Sequence, residues 1–353
     1  MCYLGSQHHR VAVGVNWQFD ILLPFLGQTE ENAKLAGNYL HAILWSFPAA
    51  LSFVVFKEIV TVLGKPQLLI TIAVAAIPLN AIANYCLAFG KLGLPTLGLA
   101  GLGWASTLIS WLSILSAVAL FVFDKSFKEK HLFRYWREFK SSIVNQILQL
   151  GWPLMAQLGA ELILFTAVAL LMGYWGTTLL AADEIVMSVL DIAIVIPWGI
   201  SYAVAIRVAQ AIGEENSADA FRAAIISFFL VLTFTVTIAF VFWLFPEKIV
   251  AFYLDATISE NLFFKFAAIF QIFYGIHFVA LGALQGLLDT RLPMLINSVS
   301  YWLIGIVGGY IFGEIWQLQG LGLWWCLILS ILVADVLLIF RFIWLLLKYE
   351  FQT

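Results

Sequence analysis

Long apolar stretches recur along this sequence, and each is long enough to cross a lipid bilayer. A helix spans the hydrocarbon layer with about 20 mainly apolar residues. About nine stretches reach that length, at 35–63, 66–90, 98–123, 142–172, 178–206, 222–246, 262–288, 291–313 and 320–347. They are too long and too continuous for the strands of a membrane barrel. The sequence therefore predicts an all-α, polytopic membrane protein with about nine complete transmembrane helices.

Composition argues against several other classes of protein. Of the 353 residues, 63% are hydrophobic and 11% are charged, whereas soluble domains have about 45–50% and about 25%. A net charge of −3 gives no reason to expect a nucleic-acid partner. The cysteines are scattered without metal-binding or disulfide spacing, and the sequence contains no HExxH, GxSxG or Walker A motif. We expect a monomer in a lipid bilayer that is not an enzyme and has no cofactor.

Basic residues predict how the chain is oriented. Cytoplasmic loops carry an excess of Lys and Arg, and the segment 124–141 is the most basic of the loops between the spans. We therefore place 124–141 and the C-terminus in the cytoplasm and the protein in a plasma (inner) membrane, as in a bacterium. The basic residues of this loop are Lys125, Lys128, Lys130, Arg134, Arg137 and Lys140.

Two short similarities indicate an internal repeat. KPQLLI (65–70) resembles RLPMLI (291–296), and GLGW (101–104) resembles GLGLW (320–324). Both pairs come in the same order at matching steps, as expected for two bundles related by pseudo-symmetry. The predicted domains are an incomplete N-terminal bundle (1–123), the basic linker (124–141) and a six-helix bundle (142–353). On this view residues 11–27 are a helix stub and the chain is truncated at its N-terminus; the alternative is a native nine-span protein with a chance repeat.

Five stretches resemble the multidrug and toxic compound extrusion (MATE) transporters. This resemblance implies two six-helix bundles, joined by a cytoplasmic loop with a cavity between them, that export organic cations and other drugs against a Na⁺ or H⁺ gradient. The stretches are LGLPTLGLAGLGWAS (92–106), LGWPLMAQLGAELILF (150–165), RVAQAIGEENSADAFRAA (207–224), GALQGLLDTRLPMLI (282–296) and YWLIGIVGGY (301–310).

Glu161 stands alone as a charge within a long apolar run. A charge at the centre of a bilayer costs about 2.5–3.5 kcal/mol on insertion scales, so such residues usually face a cavity or a partner. The resemblance places Glu161 at the cation site of the C-terminal bundle, as a proton carrier or a candidate Na⁺ ligand. Tyr274 stands where some Na⁺-coupled members have an aspartate, which favours either proton coupling or a rearranged site. The alternative for Glu161 is a protonated side chain bonded to a neighbouring helix.

Further polar residues are candidates for coupling or for lining the cavity. Glu184, Ser188 and Asp191 are spaced i, i+4 and i+7, so they share one face of a helix. The alternative is that Asp183 and Glu184 lie at the membrane interface, which leaves only Asp191 deep. The other candidates for lining are Asn80, Asn84, Gln157, Gln271, His277 and Tyr301.

Several of these residues could instead have a purely structural role. Asn80 and Asn84 could be interhelical hydrogen-bond pairs, and His277 could equally make a helix–helix hydrogen bond. Asp335 and Arg341, six residues apart, could be partners or an interface pair. The predicted function is a cation-coupled exporter of small organic, chiefly cationic compounds. The alternatives are an inactive truncated remnant and a flippase for lipid-linked sugars. A flippase would require a more basic cavity to bind phosphate groups.

Overall fold

The computed structural model describes residues 30–62, 66–123, 141–253 and 260–350, and the described part of the chain consists of helices joined by short connections. The stub 11–27 and nearly all of the loop 124–141 lie outside the described residues. The helices before residue 140 are α1 (Glu30–Leu44), α2 (Phe47–Val62), α3 (Pro66–Phe89) and α4 (Leu99–Phe123). Those after it are α5 (Ser141–Trp175), α6 (Thr177–Ala193), α7 (Val195–Gly213), α8 (Ser217–Leu244), α9 (Pro246–Tyr253), α10 (Glu260–Gly286), α11 (Arg291–Val299) and α12 (Gln319–Glu350).

The predicted all-α membrane architecture is confirmed. Eight helices in the described ranges are long and apolar enough to cross a membrane, and a bent pair raises the number to nine. That pair is α1 and α2, which meet at an angle of 44° inside the predicted span 35–63. Pro48 lies in the first turn of α2, where a missing backbone N–H is tolerated. The Ser46 hydroxyl donates to the Ile43 carbonyl at 2.7 Å beside the bend.

Two predicted spans differ in detail from the structure. The stretch 178–206 is not one continuous helix, because α6 ends at Ala193 and α7 begins at Val195 and runs to Gly213. Pro197 follows directly after this break, and proline removes one backbone hydrogen bond near the start of a helix. The span 291–313 also departs from a plain α-helix, since α11 continues as π-helix over Ser300–Gly308 and again over Ile311–Ile315.

The chain divides into two compact units, Met1–Phe139 and Lys140–Thr353. In the first unit, α4 packs closely on α1. A Cβ atom added at Gly103 would lie 2.9 Å from the Tyr39 carbonyl oxygen, so the small residue lets the two backbones approach. The Thr107 hydroxyl donates to the Ala42 carbonyl at 2.7 Å. Phe56 of α2 meets Phe121 of α4 edge to face at 5.6 Å between ring centroids.

In the second unit, α10 is the central helix. A Cβ added at Gly282 would lie 2.3 Å from the Ser201 carbonyl oxygen of α7, and the Ser201 hydroxyl donates to the Phe278 carbonyl at 2.6 Å. Around the other half of α10, buried Phe264, Phe270 and Trp324 form part of one hydrophobic cluster. This central position brings polar residues of α10 against α5, α6 and α12.

Candidate functional site

An open cavity of about 280 Å³ lies in the second unit, between α5, α6 and α10. Its walls are mainly apolar, with Leu162 and Phe165 from α5 and Phe270 from α10. Four titratable side chains line it, and all are acidic or phenolic: Asp183, Glu184, Asp191 and Tyr274. We call this the acidic cavity. An acidic, partly aromatic lining of this kind is chemically suited to an organic cation.

Glu161 is next to Leu162 in the chain and bonds Tyr274, and both of these residues line the acidic cavity. Glu161 is partly buried, and its Oε1 accepts a hydrogen bond from the Tyr274 hydroxyl. The Tyr274 ring packs on Phe270 at 5.1 Å and on Phe278 at 4.8 Å between centroids, so aromatic neighbours fix its direction. The structure thus joins Glu161 and Tyr274, which the sequence had assigned to one coupling site although they lie 113 positions apart.

The polar face of α6 turns towards the same cavity. Glu184 and Asp191 both line it, as expected from their seven-residue spacing. Ser188 does not line it; this residue is exposed, and its hydroxyl donates to the Glu184 carbonyl at 2.8 Å within the same helix. From this face the cavity therefore receives the two carboxylates and not the Ser188 hydroxyl.

Asp183 was set aside by sequence reasoning as a candidate for the membrane interface. The structure instead buries it to 2% exposure, at the wall of the acidic cavity. Its Oδ1 accepts a hydrogen bond from the indole N–H of Trp324 in α12 at 3.1 Å. A signal was present, because Asp183 and Asp191 are eight residues apart and two turns of helix bring such residues near one face.

One turn further along α10, His277 is the centre of a second polar cluster. Its Nδ1 lies 2.8 Å from Asp335 Oδ1, and its Nε2 lies 2.9 Å from the Tyr301 hydroxyl and 3.3 Å from Asn297 Nδ2. All four residues are at most 4% exposed. We call them the His277 network. Its members come from α10, α11, the first π-helical segment and α12, so His277 and Tyr301 are packed between helices beside the cavity.

Four other predicted lining residues have different surroundings. Gln157 is buried on α5, one turn before Glu161. Gln271 is fully buried, and neither atom of its amide has a hydrogen-bond partner among the described residues. In the first unit, the amide of Asn84 donates to Asn80 Oδ1 at 2.8 Å within α3. The bond between these two asparagines therefore lies within one helix, and the alternative of hydrogen bonds to other helices stays a prediction.

The possible pairing of Asp335 with Arg341 is wrong. Arg341 donates to Asp289 at 2.7 Å, while Asp335 contacts His277. Residues six apart on a helix point about 120° away from a common face at 100° per residue, so each side chain meets a different neighbour. Among the described residues there is also no group of three or more His, Cys, Asp or Glu side chains that could hold a metal ion.

Known proteins resemble this chain in both sequence and fold. The family model described as MatE matches residues 11–86 and 153–311, which is more than half of the chain. The chain belongs to the MATE family. This family consists of transporters rather than enzymes, so the membrane transport predicted from the sequence is confirmed at the level of the family.

Curated relatives of this MATE-family chain are bacterial. It is 31% identical over 330 residues to a "Probable multidrug resistance protein NorM" of a Synechococcus species, covering 91% of this chain and 71% of the relative. A protein of the same description from Mesorhizobium japonicum is 32% identical over 338 residues, covering 93% and 72%. These relatives and the apolar helices make this chain a multi-pass protein of the plasma membrane.

Solved MATE structures share the fold. A "MATE in the bent conformation" superposes with a TM-score of 0.82 at 16% identity, over 96% of this chain and 75% of the other. The eukaryotic MATE transporter AtDTX14 superposes with a TM-score of 0.76 at 20% identity, over 94% and 75%. At these identities the likeness concerns the fold alone.

Proposed function

We propose that this chain exports small organic compounds, chiefly organic cations, across the plasma membrane in exchange for protons. The observation that carries the proposal is the acidic cavity, in which Glu184, Asp191 and the buried Asp183 surround an aromatic and apolar space. The description of the relatives as multidrug resistance proteins supports the same class of substrate. The transporter acts as a monomer, with the loop 124–141 and the C-terminus in the cytoplasm.

Glu161 is the proton carrier in this proposal. Its carboxylate is held by the Tyr274 hydroxyl, and Tyr274 lines the cavity that would receive the cation. A bound cation and a proton both neutralise carboxylates in one low-dielectric region, so each lowers the affinity for the other. That competition is the basis of exchange. Asp191, Glu184 and Tyr274 take part as neighbours of the carrier, while Gln157 and Gln271 border the site.

Protons are preferred to Na⁺ because of the partner that Glu161 has. Na⁺ binds to sets of oxygen ligands supplied by carboxylates and carbonyls, as hard cations generally do. Here the residue that contacts Glu161 is a phenol that donates its hydrogen to the carboxylate. A flippase for lipid-linked sugars is disfavoured by the lining, since phosphate groups require basic partners and the titratable residues here are acidic or phenolic.

The test is transport by the purified chain in liposomes. Vesicles with an acidic lumen should accumulate ethidium from the outside, and Glu161→Gln should reduce accumulation to the level of protein-free vesicles. Glu247→Gln, at an exposed position on α9, is the matched control and should transport normally. Wild-type transport by Glu161→Gln would refute its role as carrier, and accumulation driven by a Na⁺ gradient at equal pH would refute proton coupling.

A further inference from the structure

We infer that the His277 network is a second proton-binding site, separate from the acidic cavity and linked to Glu161. His277 is 1% exposed, and Asp335 is 4% exposed. Both belong to segments that cross the membrane. A buried pair of this kind is usually explained as a structural hydrogen bond. The partners of the imidazole, however, can hydrogen-bond to it in both of its protonation states.

In the neutral state every ring nitrogen has a suitable partner. An ionised carboxylate only accepts, so Asp335 Oδ1, at 2.8 Å, receives the hydrogen of Nδ1. The bare Nε2 then accepts from the Tyr301 hydroxyl at 2.9 Å or from the Asn297 amide at 3.3 Å. Imidazole and carboxylate together carry one negative charge in this state.

The same partners can accommodate an added proton. When Nε2 gains a hydrogen it must donate, and a phenol oxygen can accept as well as donate. The buried Asn297 Oδ1 has no hydrogen-bond partner among the described residues, so a turned amide would offer it as an acceptor. Imidazolium and carboxylate then sum to zero charge, which a low-dielectric site favours over a lone negative charge. Uptake of one proton therefore replaces a hydrogen bond that Nε2 accepts with one that it donates, and the bond from Nδ1 to Asp335 stays in place.

The titratable groups around the network connect it with the cavity. From α5, Glu161 accepts a hydrogen bond from the Tyr274 hydroxyl, and the Tyr274 ring stacks on the His277 ring at 6.3 Å and 17°. From α6, Asp191 lines the same cavity as Tyr274, and Asp335 of α12 contacts His277 directly.

In the described ranges, the charged side chains of α7 and α8 are exposed: Arg207, Asp219 and Arg222. The helices α7 and α8 place Ser201 and Thr235 against α10, and neither titrates. The charged residues of α9, Glu247 and Lys248, are exposed. The groups that act on the network are therefore carboxylates and phenols.

This arrangement couples the protonation state of Glu161 to that of His277. An ionised Glu161 strengthens proton binding by His277, because its negative charge acts through the low-dielectric interior. Protonation of Glu161 removes that charge and weakens proton binding by His277. The network would thus store a proton while Glu161 releases its own. The storage role rests on the proposed proton coupling, whereas proton binding by His277 can be measured without any transport.

The experiment is nitrogen NMR of the whole chain with ¹⁵N-labelled histidine, in lipid nanodiscs, between about pH 5 and pH 9, the range in which histidines titrate. His277→Asn identifies the His277 signals among the five histidines of the chain. We expect both ring nitrogens of His277 to change with pH, through imidazolium formation or a tautomer switch that reports a protonated Asp335. Signals that stay unchanged across the range would overturn the inference.

Three variants test the linkage to neighbours. At fixed pH, Asp335→Asn and Glu161→Gln should each lower the protonated fraction of His277, because each removes a nearby negative charge. Tyr301→Phe should also lower it, while Tyr310→Phe, an exposed tyrosine of the same span, should leave it unchanged. An unaltered fraction in Glu161→Gln would overturn the link. Loss of transport in Glu161→Gln together with a titrating His277 would support both proposals, and intact transport with a titrating His277 would refute only the exporter mechanism.

Discussion

Two polar clusters lie one helical turn apart on α10, and they differ in access. Tyr274 belongs to the acidic cavity, whose openness leaves Glu184 and Asp191 exposed. His277 belongs to a network whose four members are at most 4% exposed and bond mainly to one another. The same kinds of side chain are thus available to a ligand in one place and enclosed in the other. Exposure, more than residue type, therefore distinguishes the two clusters.

The sharpest way to break this comparison is to remove Asp335. Asp335→Ala should lower the free energy of unfolding by about 3–5 kcal/mol, the cost of deleting one partner of a buried pair. Asp191→Ala, at an exposed position of the acidic cavity, should change the free energy of unfolding by no more than about 0.5 kcal/mol. Both can be measured by SDS titration in mixed micelles with circular dichroism. Equal losses in the two variants would show that access does not distinguish the clusters.

Asp183 sharpens the comparison, because it lines the acidic cavity and yet is buried. Trp324→Phe removes the N–H that reaches Asp183 at 3.1 Å, and an unpaired buried acceptor costs about 1–3 kcal/mol. The neighbouring Trp325→Phe is the control, since that indole is 52% exposed. The same unfolding titration applies. A loss no larger than that of the control would place Asp183 with the accessible carboxylates.

The smallest effect is expected at Tyr274. Tyr274→Phe deletes the hydroxyl that donates to Glu161, and one such bond contributes about 0.5–1.5 kcal/mol. Because Glu161 is only partly buried, water can replace the lost partner. Ser188→Ala, whose hydroxyl bonds only its own helix, is the control and should change stability by less than about 0.5 kcal/mol. A loss as large as that of Asp335→Ala would mean that Glu161 is as enclosed as the network.

Much of the fold could be predicted because bilayer physics is visible in composition. An apolar run of about 20 residues has few options in lipid other than a helix, so the spans at 98–123, 262–288 and 320–347 correspond closely to α4, α10 and α12. The break at Ile194 and the π-helical segments after Val299 were not predicted. Hydropathy registers length and apolarity, and it does not respond to a local change in the hydrogen-bond pattern of the backbone.

The candidate site was accessible from sequence only within single helices. The spacing of Glu184 and Asp191 indicated a common face, and the structure places both in one cavity. Helical periodicity gives the direction of a side chain relative to its own axis but not the identity of the helix opposite. For this reason the partners of Asp335 and Arg341 were predicted wrongly, and the burial of Asp183 against Trp324 was missed.

By itself, the sequence determined that this chain is a bundle of membrane helices and which polar residues stand within apolar runs, because transfer of each residue into lipid is a local, additive cost. Only the tertiary structure decided which of those residues meet. Glu161 reaches Tyr274 across 113 positions, and His277 reaches Asp335 across 58. Such pairings depend on how helices cross and rotate against one another. Small residues such as Gly282 set that packing by allowing close backbone contact.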